Sequence, residues 1–379
     1  MQSTDIWDEF RGQMPVAERW AYFDHAAVAP LSAPARDALA VWAAEAAAEG
    51  DSVYPRWRHR VEAIRHNVAK LLNASAAEVA LLHSTTAGIN LVAEGFPWRH
   101  GDNVVTLANE FPSNLYPWMN QAWQGVETRR VAPAGARIDL AALAAACDER
   151  TRIVSVSWVG YASGWRLDLA AAAEIAHARG ALLFVDAIQG LGIFPLDLAT
   201  VPLDFLAADG HKWLLGPEGA AVFFIRRAHL DLLRPTGVGW HSVANAADFN
   251  RIELEFRSTA ARFEGGSPNI AGLMGFGASL DLLTEIGAER LGTRILEITD
   301  LACERLQAAG ATILSDRRDN ARSGIVLFDV PGQDPQVVRD RCLSQGVVLS
   351  CRGGGLRISP HAYSTSDDIE RLIAAVWAA

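Results

Sequence analysis

The stretch ADGHKWLLGPEG, residues 208–219, decides how the rest of this sequence is read. It sets a lysine, Lys212, after the apolar run from Phe205 to Ala208 and before a glycine-rich turn. The chain has 34 lysines and arginines together, and only Lys70 and Lys212 are lysines. Arginine can serve wherever a plain positive charge is needed. It cannot lose its proton near neutral pH and attack a carbonyl as a free amine, as a lysine can. Lys212 is therefore either a surface residue that escaped replacement or an amine kept for chemistry at a strand end.

The segments around it alternate between two periodicities. NVVTLA (103–108), RIVSVSW (152–158), ALLFVDAIQ (181–189) and DFLAADGHK (204–212) read as buried strands, and AAVFFIRR (220–227) as an antiparallel return. Alanine-rich or amphipathic stretches at 33–49, 57–72 and 169–179 read as helices. Short apolar strands separated by helices predict an α/β fold with a mostly parallel sheet covered on both faces. Ligands of such sheets bind beyond the carboxyl ends of the strands. Asp186, Gln189, His211 and Lys212 all fall just past predicted strand ends. In HSTTAGINLVAEGF (83–96), Ser84, Thr85, Thr86 and Gly88 open a helix. Hydroxyls and free amides there suit a phosphate, or make a simple N-cap.

After Gly287 the pattern becomes α+β, with helices at 288–308, 335–345 and 367–378 and strands IVLFDV, VVLSC and LRIS. The expected division is a large α/β domain over 22–285 and a small domain from 1–21 with 286–379. Residues 1–20, with Trp7, Phe10 and Trp20, read as one amphipathic helix, and WRHRVEAIRH (57–66) as a solvated helix face.

Composition excludes several classes. The net charge is −10 without a basic run, a poor match to nucleic acid. No run of about 18 apolar residues suggests a membrane span. The start, MQSTDIWDEFRG, lacks the basic and apolar parts of a secretory signal. The cysteines, Cys147, Cys303, Cys342 and Cys351, form no CxxC pair, so no metal site is expected; the first three read as small buried hydrophobes. A reducing cytoplasm fits this usage.

Asp186 ends one buried strand and Lys212 follows the next. A buried carboxylate needs a cation. The two could form a direct salt bridge. Alternatively, both could face one pyridine ring, the lysine holding its aldehyde and the aspartate its nitrogen, as in pyridoxal-phosphate sites.

The ordered motifs HSTTAGIN, EFPSN, VDAIQ, DGHKWLLGPEG, RFEGGSPN and LRISPHAYST span nearly the whole chain. With them the sequence resembles the class V aminotransferase family of fold-type I pyridoxal-phosphate enzymes, which includes cysteine desulfurases and isopenicillin N epimerase-like proteins. The resemblance implies a mostly parallel sheet of the seven-stranded type between helices, plus a smaller α+β domain at the C-terminal end. It implies pyridoxal 5'-phosphate as cofactor, with Lys212 forming the Schiff base and Asp186 pairing with the ring nitrogen. It further implies Gln189 on the phenolic oxygen, and Thr85, Thr86 and His211 at the phosphate. Ser267 would reach the phosphate of a partner subunit, so a homodimer is implied. Arg357 would grip the substrate carboxylate. His25 is a candidate for the substrate pocket or a turn cap, and Tyr161 for a contact to ring or substrate. Trp213 and Trp240 read as structural or dimer contacts.

Three departures separate the sequence from desulfurases. Phe111 stands where they carry a histidine; it can stack on the ring but moves no proton. Asp209 replaces a serine next to the phosphate and could orient His211 instead. Their mobile cysteine loop is cut to SCRGGGLR, and Cys351 there reads as a packed strand residue. The expected function is that of an enzyme acting on an amino acid through an external aldimine and Cα deprotonation, with racemisation, transamination or elimination to follow. The alternative is a cysteine desulfurase or selenocysteine lyase using Cys351. A competing class is a non-catalytic binding protein on the same fold.

Overall fold

The computed structural model of the protein describes residues 5–378. Strand β1 (Ala21–Tyr22) belongs to an edge pairing taken up below. The central sheet contains β2 (Val79–Leu82), β3 (Asn103–Leu107), β4 (Glu127–Val131), β5 (Thr151–Ser157), β6 (Leu182–Asp186), β7 (Phe205–Asp209) and β8 (Ala221–Ile225). Its seven strands run in the order β2-β8-β7-β6-β5-β3-β4. β3 to β7 are parallel, and β8 lies antiparallel to both of its neighbours. β3, β6, β7 and β8 are buried along almost their whole length, because helices cover both faces and no alternation with water is required.

Pairing sets the register at the carboxyl end. Ser157 lies opposite Asp186, and Asp186 opposite Ala207. The helix Thr85–Gly95 packs its N-terminus close against this end through Gly88. A Cβ there would stand 2.7 Å from the Ala207 Cβ and 3.2 Å from the Phe223 ring.

A second sheet follows. β9 (Thr312–Ile313), β10 (Val326–Asp329), β12 (Ser350–Arg352) and β13 (Gly355–Ile358) pair in the order β12-β13-β10-β9, and β11 (Val347–Val348) pairs in parallel with β1. Phe23 packs with Phe328, Ile358 and Leu372 in this unit's core. The N-terminal segment is thus sewn to the last part of the chain, and Asp24 bridges Ser359. β12 and β13 are joined by Gly353 and Gly354, both at positive φ (56° and 80°), which a two-residue hairpin turn of this twist requires.

Two expectations change. The single helix over 1–20 is instead a helix Ile6–Gly12 and a 3-10 turn Pro15–Glu18, since Pro15 cannot continue the helix; residues 1–4 lie outside the described residues. Between β3 and β4, Tyr116–Met119 forms a short helix followed by a 3-10 segment. WRHRVEAIRH is not wholly solvated. Arg65 is buried and holds the Glu264 carboxylate, which also accepts the Leu81 amide at 2.9 Å. This pair ties the helix Tyr54–Leu71 to the EGGS loop, so it is a packing element with a charge inside it.

Gly88→Ala should push the Thr85–Gly95 helix off β7 and lower unfolding stability by about 1–3 kcal/mol, the usual cost of overpacking. Denaturant titration against wild type measures this.

Candidate active site

Beyond the ends of β5, β6 and β7 lies a cavity of about 380 Å³. Its walls include Thr85, Thr86, Phe111, Tyr161, Asp186, Gln189, Asp209, His211, Lys212 and Arg357, all placed there by sequence reasoning, together with Ser84, Ser113, Ser157 and Arg352.

Asp186 is the last residue of β6. One carboxylate oxygen accepts the Ile188 amide at 3.1 Å. Burial pushes its pKa up to about 6, against that hydrogen bond and the charge of Lys212. Lys212 lies three residues past Asp209, the last residue of β7. Burial lowers its pKa to about 8, against the pull of Asp186. Among the described residues Lys212 forms no ion pair: the two opposite charges face one space without touching. Of the two arrangements open in the sequence, the direct salt bridge is absent.

The loop holding Lys212 is closely fixed. The Gly216 amide donates to the Gly210 carbonyl at 2.8 Å, and the Leu215 amide to the Lys212 carbonyl at 3.1 Å. Leu215 sits at φ 54°, a left-handed conformation uncommon for a side-chain-bearing residue, and Ser279 Oγ donates to its carbonyl at 2.7 Å. Gly210 has no room for a side chain, since a Cβ would stand 2.7 Å from Phe276.

At the other wall, Ser84 caps the helix Thr85–Gly95 by accepting the Ala87 amide at 3.1 Å. Thr86 donates to Ser113 at 2.9 Å, and Thr85 accepts the Asp209 amide at 2.8 Å. First-turn amides have no intrahelical acceptor and point outward. Cap and anion site are therefore not exclusive: Ser84 caps, while the hydroxyls and amides that follow face the cavity. His211 Nδ1 comes within 2.8 Å of an Asp209 oxygen but is poorly aligned for a hydrogen bond. Phe111 turns its ring toward Lys212, 5.7 Å from Nζ to the ring centre, and packs edge-on to Tyr161.

Gln189 Oε1 accepts from Trp213 Nε1 at 2.9 Å, and its Nε2 donates to the Ala26 carbonyl at 2.9 Å. An indole nitrogen only donates, so this bond fixes which end of the amide is oxygen. One Nε2 hydrogen remains for the cavity. Trp213 is fully buried, a structural role as expected.

Two expected residues are elsewhere. His25 is fully buried, with Nδ1 2.9 Å from the Ser359 carbonyl and Nε2 2.8 Å from the Tyr363 hydroxyl. It neither lines the pocket nor caps a turn, because both ring nitrogens are used in the core; Ala26, Ala27 and Val28 line the cavity instead. Ser267 lines a separate cavity with His83 and Gly237. Cys351 points away as well. Along β12, Ser350 and Arg352 share one face and Cys351 takes the other, where its thiol donates to the Pro335 carbonyl at 3.3 Å.

Sequence reasoning missed Asp24 and Glu110. Asp24 accepts from Arg357 Nη2 at 2.8 Å and from Ser350 at 2.9 Å. Glu110 is buried against Ser157, whose amide donates to it at 2.7 Å. Burial pushes its pKa up to about 7 despite those bonds, with Asp186 adding to the rise. The acidic residue ahead of FPSN was the only available signal.

The aminotransferase class-V family model matches residues 21–372. The chain belongs to the aminotransferase class-V family. It is 31% identical over 388 residues to a probable cysteine desulfurase of Methanothermobacter thermautotrophicus, covering 96% of each chain. A cysteine desulfurase of Dickeya dadantii is 32% identical over 346 residues, covering 83% of this chain and 80% of the relative. Among solved structures, the apo cysteine desulfurase of Thermococcus onnurineus is similar at a TM-score of 0.88 with 25% identity, covering 99% of this chain and 98% of that one. As a class-V family member this chain is a pyridoxal-phosphate enzyme. The residues fit that group: an unpaired buried amine and carboxylate, a hydroxyl-lined helix start and one oriented amide N–H surround a single cavity.

Glu110 and Asp186 bind protons more tightly in the folded protein, with pKa values raised from 4.5 to about 7 and from 3.8 to about 6. Their contribution to stability is full below the unfolded values and is lost as pH rises through the folded ones. Cofactor-free Glu110→Gln should therefore show a flatter melting temperature than wild type between about pH 4.5 and 7; parallel curves would contradict the assignment.

Proposed function

We propose that this enzyme cleaves the C–S bond of cysteine or a closely related sulfur amino acid. The observation that carries its chemistry is the pair Lys212 and Asp186, buried at one cavity without touching, with Arg357 in the same wall. The sulfur substrate is supported by the relatives, which are named cysteine desulfurases at about a third identity or somewhat less.

Pyridoxal phosphate supplies an aldehyde that takes up an amine and a ring that draws electrons away from the substrate Cα. Lys212 would hold it through its amine, and the same amine is the base placed to move the substrate Cα proton. Burial lowers the pKa of its amine to about 8 in the cofactor-free chain, which favours the free base. Asp186 would hold the ring nitrogen, and the remaining Gln189 N–H would serve the phenolic oxygen. Thr85, Thr86, Ser113 and His211 would hold the phosphate. Arg357 holds the substrate carboxylate by charge-assisted hydrogen bonds, and Tyr161 positions it, its carbonyl accepting from Nη1 at 2.7 Å. Phe111 covers the cavity without moving protons. A homodimer in which Ser267 completes the partner's phosphate site accords with its place in a separate cavity, and we read residues 22–285 as the cofactor-binding domain.

Sulfur transfer to Cys351 is not favoured by the geometry, because Cys351 faces the core of the second sheet. Burial also raises its pKa, which disfavours the thiolate. We therefore assign the departing sulfur to solvent or a small external thiol.

Incubated with cysteine and a dithiol, the holoenzyme should release sulfide. Lys212→Ala should reduce this at least about a hundredfold, the low end for a positioned base. Cys351→Ser should retain the wild-type rate. No sulfide from wild type would reject the substrate assignment, and a dead Cys351→Ser would make that thiol the acceptor.

A further inference from the structure

Arg357 is not a free cation waiting for a carboxylate. Its side chain is almost wholly buried, with 1% exposed. Nη2 donates to Asp24 and Nη1 to the Tyr161 carbonyl, while Nε is buried without a hydrogen-bond partner. Asp24 is itself fixed by Ser350 Oγ and by its backbone bridge to Ser359. One carboxylate thus already neutralises the guanidinium that is to receive a second. Two carboxylates on one guanidinium leave a net negative charge inside a low-dielectric site, which is unfavourable unless another cation is near.

Arg352 meets that need. It lies on the same face of the β12–β13 hairpin as Arg357, two residues beyond Ser350, whose register partner is Arg357. It lines the cavity, and among the described residues it pairs with no carboxylate; its one hydrogen bond goes to the adjacent Cys351 carbonyl. Its side chain is exposed, next to the Gly353–Gly354 turn.

We propose that Asp24 and Arg352 act in opposition on substrate binding. Asp24 positions Arg357 and offsets its charge, and Arg352 closes over the substrate carboxylate as the second cation. The four charges then cancel: Asp24 and the substrate carboxylate against Arg357 and Arg352. This rests on the reading that Arg357 receives the substrate carboxylate. It makes the site selective for an amino acid whose carboxylate is ionised, and sets affinity by a balance rather than by one ion pair.

The test is the dissociation constant of L-alanine for the holoenzyme, read from the cofactor's absorbance change; alanine carries the amine and carboxylate but no leaving group. Arg352→Ala should weaken binding about three- to tenfold, as suits a partly exposed charge, and Arg352→Lys should recover most of it. Asp24→Asn keeps an acceptor for Nη2 but removes the charge, and should tighten binding, a direction that mere structural damage does not give. The double variant should return close to wild type. Added salt should weaken wild type more than Arg352→Ala. Unchanged affinity in Arg352→Ala beside a weakened Arg357→Ala would overturn this proposal alone, as would weaker binding in Asp24→Asn. Unchanged affinity in Arg357→Ala would remove the underlying reading together with it.

Discussion

Two opposite charges, buried at the ends of neighbouring strands and kept from pairing, set the terms for everything else in this molecule. Left to themselves, a carboxylate and an ammonium in a low-dielectric interior would collapse into contact. Asp186 is held by the Ile188 amide, and Lys212 by a loop that closes on itself from Gly210 to Gly216. Adjacency of β6 and β7 brings the residues near, and the loop stops them short. Both groups lean toward their neutral forms because burial outweighs their attraction. That poise is what a covalent amine nucleophile needs, since a fully paired ammonium would be inert.

Around this pair the supports are mostly neutral and directional. Trp213 orients Gln189, Gln189 grips Ala26, and the Ala26 amide in turn donates to Ser359 Oγ at 2.9 Å. A continuous line of hydrogen bonds therefore runs from the lysine loop, through the first part of the chain, to the strand that carries Arg357. Further out, Arg65 and Glu264 fix the loop behind β2 with a desolvated ion pair, whose carboxylate stays ionised because its pKa is held down to about 2 despite burial. The Arg65–Glu264 pair is matched, whereas the charges at the cavity are left partly matched.

Sequence was a good guide to what depends on local pattern. Apolar runs located β3 and β5 to β8, and polar residues just past them located Asp186, Gln189 and Lys212. Ser84 to Thr86 announced a helix start, and period-two alternation turned out to separate Cys351 from Arg352. It was a poor guide to pairings made across the chain. Nothing local distinguishes Asp24 from an exposed aspartate, because its partners Ser350 and Arg357 lie more than three hundred residues away. His25 misled for the same reason: a histidine beside small residues looks like a pocket residue until Ser359 and Tyr363 take both nitrogens. Arg65 looked solvated because its helix alternates charge with apolar side chains, and only the position of Glu264 reveals it as buried. Glu110 carried no sign of its burial beyond standing next to an aromatic.

The pairing of β1 with β11, and of Asp24 with Arg357, has a consequence for how the protein is made. These partners are 333 residues apart in the chain. At ~5–20 residues per second of synthesis, Asp24 is complete roughly 20–70 s before Arg357 exists. During that interval Ala21 to Phe23 has no strand to join and is exposed to chaperones and to other nascent chains. The central sheet can assemble meanwhile, but its cavity lacks one wall until the last strands leave the ribosome. The cavity is therefore completed only after β13 has been made, in one late step of long-range closure.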